Sequence, residues 1–252
     1  MRPFADIAAA VDRRIARVGR TKSVVARNTA PIASITFDDF PASAARAGAD
    51  SLEARGVRGS FYVSGGLEGR MWDNGPQFSR DDLERLSERG HEIGCHTFEH
   101  LDCFRSTANA LKASLDRNQA YVRDVLGDTT PSTFSYPYGY YGTAAKFRLQ
   151  RRFAACRSII PGVNAGTIDL GLLKSVVIPR GSVDAAWITP WLDRTRASTG
   201  WLILCAHDVR VDHGPFGCTP DGLAAAIDSI LAAGIEILPV KDALGRIAPD
   251  AT

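Results

Sequence analysis

Residues 95–100 read Cys-His-Thr-Phe-Glu-His and place two histidines four positions apart, with a carboxylate beside the second. If the backbone turns helical just past the preceding strand-like residues, His96 and His100 share a face and can bind one metal ion. The same pattern, H-x-x-E-H, is also a signature of one class of zinc peptidases. The segment therefore indicates a metal site and leaves its chemistry open.

Other polar groups also follow apolar runs of strand length. They are Asp38 and Asp39, Tyr138 within Tyr-Pro-Tyr-Gly, Arg180 within Pro-Arg-Gly, and His207 with Asp208. Each has an ordinary explanation, such as a helix cap or a solvated turn, when it is taken alone. In a parallel α/β fold, however, the carboxyl ends of the strands meet at one rim. A carboxylate from one strand end and the histidine pair can then form a three-ligand metal site with an open position for water.

Short apolar runs and helical stretches alternate from residue 32 onward. The runs that read as strands are IASITF, RGSFYV, HEIGCHT, STFSYP, LKSVVIP, WLILCAH and IEILPV. The helical stretch 79–90 opens on Ser79 and closes on Gly90, which are start and stop signals. Residues 65–77 read as a long loop. The alternation predicts a parallel sheet, either open or closed into a barrel.

The N-terminal segment is amphipathic and basic. Its apolar face consists of Phe4, Ile7, Ala8, Val11, Ile15 and Val18. Residues 1–30 contain seven Lys/Arg against two Asp, although the whole chain carries only +2. We expect a helix docked on the domain with a solvated basic edge, rather than a helix on a membrane surface. The predicted organisation is an N-terminal helix and linker over residues 1–30 and one domain over residues 31–252.

Composition argues against several other classes of protein. A net charge of +2 over 252 residues is too near zero to indicate a nucleic-acid partner. No apolar run has the length of a membrane span, and the N-terminus shows no signal-peptide core. The five cysteines are irregularly spaced and form no C-x-x-C pair, which indicates reduced thiols. We therefore expect a cytoplasmic protein, with membrane-surface association as the alternative and the oligomeric state open.

The order T-F-D-D, H-T-x-x-H, Y-P-Y-G and H-D resembles the polysaccharide deacetylases, the NodB-like carbohydrate esterase family 4, over about residues 32–245. The first two motifs together are specific, and the later ones are degenerate. The resemblance implies a distorted (β/α) barrel of about seven strands, here with an N-terminal helical appendage. It also implies a metal-dependent hydrolase that removes acetyl groups from an acetylated carbohydrate.

The resemblance also implies a role for each site residue. The ligands of a divalent cation would be Asp39, His96 and His100. Zinc is the first expectation for this ligand set, with cobalt and nickel as alternatives. Asp38 would be the general base, His207 the general acid, and the backbone N–H of Tyr138 a donor to the oxyanion. Together they supply every group that amide hydrolysis at a metal requires.

Two positions depart from the family pattern. Ser135 stands where the third motif usually has an arginine that holds the base, and Arg180 is our candidate for its replacement. Cys205 replaces the aliphatic residue two positions before His207, and we expect it to line a wider acetyl pocket. An inactive carbohydrate-binding homologue would fit the missing arginine, although the ligands, base and acid are all present.

The zinc-peptidase alternative explains less of the chain. A peptidase needs H-x-x-E-H inside a long helix, whereas here the motif follows the strand-like HEIG. It would also leave the Asp-Asp and His-Asp pairs without a role, so we interpret Glu99 as incidental. The residues do not identify the sugar or distinguish N-acetyl from O-acetyl groups, and N-acetyl is our first expectation.

Overall fold

The computed structural model describes residues 2–72, 75–179 and 183–251, with side chains described from residue 7 to residue 250. The strands are β1 (Ser23–Val25), β2 (Ile32–Asp38), β3 (Ser60–Val63), β4 (Met71–Trp72), β5 (Gly75–Pro76), β6 (Glu92–Cys95), β7 (Thr133–Ser135), β8 (Ala155–Arg157), β9 (Thr167–Asp169), β10 (Val176–Val177), β11 (Trp201–Ala206) and β12 (Glu236–Ile237). The α-helices are α1 (Arg2–Val18), α2 (Ala49–Glu53), α3 (Arg80–Glu88), α4 (Ala108–Leu126), α5 (Thr143–Arg152), α6 (Ala185–Ala197), α7 (Pro220–Ala232) and α8 (Val240–Ile247).

One parallel sheet forms the centre of the molecule. Its strands follow the order β10-β11-β2-β3-β6-β7-β8, and β12 pairs with the first residues of β2. The Leu173 N–H donates to the Cys156 carbonyl, and the Ser158 N–H donates to the Leu173 carbonyl. These bonds join β8 to the segment before β10, so the sheet curls into a distorted barrel. The predicted (β/α) barrel is thereby confirmed.

The strands are short and apolar because helices cover the sheet. All seven residues of β2 are buried, as expected for a central parallel strand enclosed on both faces. Phe37 of β2 stacks on Phe61 of β3, with ring centroids 4.8 Å apart. Phe40, just past β2, packs against Phe61 and Phe78 and continues this aromatic layer towards the carboxyl ends of the strands.

Local signals specify α3 as predicted. Ser79 accepts a hydrogen bond from the Asp82 N–H while the Asp82 carboxylate accepts one from the Ser79 N–H, which completes a capping box. Gly90 follows the helix with φ of 84°, a conformation that favours glycine.

Other elements differ from the sequence prediction. The predicted loop over residues 65–77 contains a 3₁₀ turn and the β4–β5 pair. The sequence prediction also did not include α5, α8, β1, β8 or β9.

The N-terminal helix α1 forms and docks on α5, and Arg13, Arg14 and Arg17 are exposed, as predicted. The docked face, however, is not the apolar one: Ala16 is buried, whereas Ile7, Val11, Ile15 and Val18 are exposed. Strand β1 pairs antiparallel with β9 and so ties the predicted linker to the rest of the fold. The division at residue 30 stays a prediction. Among the described helices, none has the length and apolar character needed to cross a membrane.

Candidate active site and metal centre

Three predicted ligands converge beyond the carboxyl ends of β2 and β6. Asp39 Oδ2 lies 3.1 Å from His100 Nε2, and Asp39 Oδ1 lies 3.6 Å from His96 Nε2. One potential ligand atom from each residue lies within 4.8 Å of the other two, and all three residues are buried. His96 Nδ1 lies 2.8 Å from the Ser135 carbonyl, which can only accept a hydrogen bond, so Nδ1 carries the proton and donates. The lone pair is therefore on Nε2, the nitrogen directed at Asp39.

The two histidines share this site without a helix between them. Thr97 and His100 have positive φ values of 61° and 54°, so the expected helical turn is wrong. The Thr97 Oγ1 accepts a hydrogen bond from the Leu101 N–H at 2.7 Å and closes a tight turn instead. Asp39 and Tyr138 also have positive φ. Four of the five non-glycine residues with positive φ in the described chain thus lie at the candidate site. Such strained backbone conformations are common at functional sites, where the surrounding structure holds them in place.

Glu99 lies apart from the ligands. Its carboxylate accepts a hydrogen bond from Ser114 Oγ at 2.5 Å and pairs with Arg117, and both partners belong to α4. The helix and the carboxylate geometry that an H-x-x-E-H peptidase requires are therefore not formed by residues 96–100. The carboxylates beside the histidine pair are those of Asp38 and Asp39 at the end of β2.

Asp38 is held by a cation that sequence analysis missed. Both of its carboxylate oxygens contact the Arg157 guanidinium, and Ser135 Oγ donates to Oδ2 at 3.0 Å. Arg157 is fully buried, stacks over the Tyr62 ring at 5.2 Å and donates to Ser175 Oγ at 3.2 Å. Its guanidinium also donates to Ser135 Oγ at 2.5 Å. The serine at the usual arginine position thus bridges the carboxylate and a guanidinium supplied by β8.

A sequence signal for Arg157 did exist. It is the last residue of the apolar run Ala-Ala-Cys-Arg, and a buried arginine requires a counter-charge. Arg180, the candidate named from the sequence, lies outside the described residues. Cys205 is fully buried, with Sγ 3.6 Å from Asp38 Oδ2, and burial raises the pKa of its thiol to about 12. It supports the carboxylate and is not among the residues that line the open cleft.

The remaining predicted residues border the same cleft, which has a volume of about 410 Å³. His207 follows β11 and packs against Phe216, with ring centroids 5.4 Å apart. The Tyr138 ring lies 4.1 Å from the His100 ring, at the turn after β7. Trp72, Tyr140 and Phe216 are partly exposed and line the outer cleft. The structure therefore brings together Asp38, Asp39, His96, His100, Tyr138 and His207.

The pKa values of Asp38 and Asp39 are shifted in opposite directions. Burial alone would raise the pKa of Asp38, but the charge of the buried Arg157 lowers it well below its usual range. Burial, followed by the negative charge of Asp38, raises the pKa of Asp39 well above its usual value. A divalent cation at its oxygens would reverse that effect. Asp38 is thus the carboxylate that the protein itself keeps ionised.

His96 and His100 are neutral in this environment. Burial lowers the pKa of His96 to about 4 and that of His100 to about 3, so both present the form that binds metals. Burial also lowers the pKa of His207, and the charge of Asp38 opposes that effect. His207 Nδ1 is buried and has no hydrogen-bond partner among the described residues. Its ring packs against Phe216, and its backbone N–H donates to the Phe216 carbonyl at 3.1 Å.

Comparisons with known proteins agree with this geometry. A family model described as polysaccharide deacetylase matches residues 26–152. The chain is 29% identical over 105 residues to a chitin deacetylase of Pestalotiopsis sp, a match that covers 42% of this chain and 33% of that protein. It is 28% identical over 138 residues to the peptidoglycan-N-acetylglucosamine deacetylase PgdA of Listeria monocytogenes, covering 54% of this chain and 28% of that protein. The matches thus span about a third of these relatives or less.

A solved structure is similar over most of its length. Bacillus subtilis PdaA, a family 4 carbohydrate esterase, superposes with a TM-score of 0.58 and 16% identity. The similarity covers 93% of this chain and 88% of that one. At this identity the likeness establishes the fold.

Proposed function

Because the chain belongs to the polysaccharide deacetylase family, we propose that it hydrolyses acetyl groups from an acetylated carbohydrate in a metal-dependent reaction. One observation carries the proposal: three metal ligands, an ionised carboxylate and a histidine border one cleft. The relatives named for chitin and for peptidoglycan N-acetylglucosamine make polymers of N-acetylglucosamine the first candidates. N-acetyl amides are therefore the proposed substrate, ahead of O-acetyl esters.

Asp39, His96 and His100 would hold the divalent cation. Their donor set, one carboxylate and two neutral imidazoles, suits zinc and also cobalt or nickel. The bond from His96 to the Ser135 carbonyl fixes the ring with Nε2 towards the site. A bound cation supplies Lewis acidity towards the acetyl carbonyl and towards water.

Asp38 is the proposed general base. Its carboxylate is ionised and buried, and it accepts the proton of the attacking water. Arg157 and Ser135 hold both of its oxygens, which fixes the direction from which the proton is accepted. We assign this positioning role to Arg157 and not to Arg180, because the Arg157 guanidinium contacts the carboxylate directly. The reason for considering an inactive homologue, the missing arginine, then disappears.

His207 is the proposed general acid, which protonates the leaving nitrogen. Burial disfavours its charged form, and the negative charge of Asp38 favours it, so the two residues act as a coupled pair. The backbone N–H of Tyr138 is the proposed oxyanion donor, and the strained conformation of this residue is the feature that supports it. The aromatic rings of Trp72, Tyr140 and Phe216 offer apolar faces to a sugar chain.

The test is acetate release from chitin oligosaccharides, peptidoglycan fragments and acetylated xylan, each with and without chelator. We expect release from N-acetylated substrates, loss with chelator and recovery with zinc. Asp38→Asn and His207→Ala should each lower turnover by about 10²–10⁴-fold without loss of bound metal. His213→Ala serves as the histidine control and should retain activity. Undiminished release after chelation, or from His96→Ala protein, would contradict the proposal.

A further inference from the structure

The orientation of α1 on the barrel is fixed by polar contacts on one side of the helix. Asp12 accepts a hydrogen bond from the Thr143 N–H at 3.0 Å. The buried ammonium of Lys146 donates to the carbonyls of Ala16 at 2.7 Å and Gly19 at 2.6 Å, and so satisfies the carboxyl end of the helix. Lys146 also pairs with Asp169 at 2.5 Å, which anchors the ammonium itself. The small and polar side of α1 is therefore the docked side.

The apolar side of α1 consequently faces outward. Ile7, Val11, Ile15 and Val18 are 59%, 51%, 55% and 72% exposed. Their spacing of three and four residues aligns them in one stripe along the helix. Phe147 of α5 is also exposed and lines the groove of about 1040 Å³ that runs beside Ile15. Such an aligned row of exposed aliphatic side chains indicates an interaction surface.

Cations border this stripe on both sides. Arg14 and Arg17 of α1 lie on one side by helical geometry and are exposed. The groove on the other side is lined by Lys112, Arg148 and Arg151, which are exposed as well. Residues 1–30 hold seven Lys/Arg against two Asp, a net charge of +5, whereas the rest of the chain has a net charge of −3. The arrangement is that of a helix lying in a membrane interface, apolar side down and basic edges at the headgroups.

We propose that this surface, the α1 stripe with its flanking cations, binds an anionic lipid surface. The charge pattern favours lipid over a second copy of the chain, because both edges of the stripe are basic and a two-fold contact would bring basic edges of the two copies together. An anionic bilayer instead offers its acyl-chain region to the apolar stripe and negatively charged headgroups to both basic edges. The predicted mode is peripheral binding, with the barrel held at the membrane surface by α1.

The experiment measures the binding of the full chain to sedimented vesicles of phosphatidylcholine alone and of phosphatidylcholine with 30% phosphatidylglycerol (roughly physiological anionic content). We expect binding to the anionic vesicles alone, weakened by added salt. Ile7→Gln/Val11→Gln, which preserves charge, should lower the partition coefficient by about 100-fold. Arg14→Gln/Arg17→Gln should lower it by roughly 30-fold. Leu231→Gln on α7 and Arg194→Gln/Arg196→Gln on α6 are the matched controls and should bind normally.

Circular dichroism and thermal unfolding verify that each variant is folded, since all the substituted side chains are exposed. Absence of wild-type binding to anionic vesicles would overturn the proposal. Equal loss in the control variants would also overturn it, because binding would then be non-specific. Light scattering measures the molar mass in solution. A wild-type dimer that becomes a monomer in Ile7→Gln/Val11→Gln would overturn the proposal and assign the surface to a second copy of the chain.

Discussion

At the scale of single residues, the carboxylate of Asp38, the proposed base, depends on a partner 119 positions away in the chain. Arg157 and Asp38 are both buried, and each compensates the charge of the other. Ser135, Ser158 and Ser175 satisfy further donors of the guanidinium. The guanidinium keeps the carboxylate ionised. The pair matters for stability because removing one partner would leave the other as an uncompensated buried charge.

Removal of the Arg157 side chain should therefore destabilise the fold strongly. We expect Arg157→Met to lower the free energy of unfolding by about 3–5 kcal/mol, because Asp38 is left as an uncompensated buried charge. Asp38→Asn/Arg157→Met should recover most of that loss. Urea denaturation of the three proteins at pH 7 measures both effects. Arg55→Met, which breaks an ion pair with the exposed Asp228, is the control and should cost at most about 1 kcal/mol. A similar loss in the Arg55 and Arg157 variants would refute this account.

At the scale of elements, His91 joins α2, β3 and β6 just after the Gly90 stop of α3. Its Nδ1 accepts a hydrogen bond from the Gly59 N–H at 3.1 Å, and its Nε2 lies 3.1 Å from Glu53 Oε1. Both ring nitrogens are therefore engaged by the neutral tautomer with its proton on Nε2. Burial lowers the pKa of His91 below its usual value, although Glu53 opposes that effect.

The stability contributed by this junction should depend on pH. Below the ordinary histidine pKa of about 6.5, the unfolded chain binds a proton at His91 that the folded chain does not. Acidification should thus reduce the free energy of unfolding by up to about 1.4 kcal/mol per pH unit for this one group. The difference between wild type and His91→Gln, measured by urea denaturation at pH 7.5 and 5.5, isolates it from the other histidines. We expect the wild-type advantage to shrink at pH 5.5, and an advantage that grows there would reverse the sign of our interpretation.

At the scale of the whole molecule, the ligands of the candidate metal site follow central strands of the sheet. Asp39 follows β2, and His96 follows β6, while β3 lies between those strands. A cation bound to all three ligands would connect parts of the chain that are separate when unfolded. Binding energy at the site is then also folding energy.

Metal binding should accordingly stabilise the entire fold. Zinc at 100 times its dissociation constant should add about 2.7 kcal/mol to the free energy of unfolding. Thermal unfolding of chelator-treated protein, with and without zinc, measures the effect without reference to activity. His96→Ala should lose the zinc response, and Asp38→Asn should keep it, because only the former removes a ligand. A zinc response of the same size in His96→Ala would show that the ion binds elsewhere.

The sequence by itself determined the architecture and most of the site. Alternating strand and helix patterns specify a parallel sheet, and parallel strands deliver their carboxyl ends to one rim. Asp38, Asp39, His96, His100 and His207 could therefore be grouped before any contact was known. The Ser79 cap and the Gly90 stop were equally readable, because their signals act within one turn of chain.

Other features were decided only by tertiary structure. The pairing of Arg157 with Asp38 depends on how far the sheet curls, and no local pattern encodes that curvature. Thr97 and His100 have positive φ, and the hydrogen bond from the Leu101 N–H to Thr97 Oγ1 closes a turn in place of the helix that the spacing suggests. Helix α1 presents its apolar stripe outward because Lys146 and Thr143 bind its opposite side. Periodicity reveals which face of a helix is apolar, but the hydrogen bonds offered by distant residues determine which face is docked.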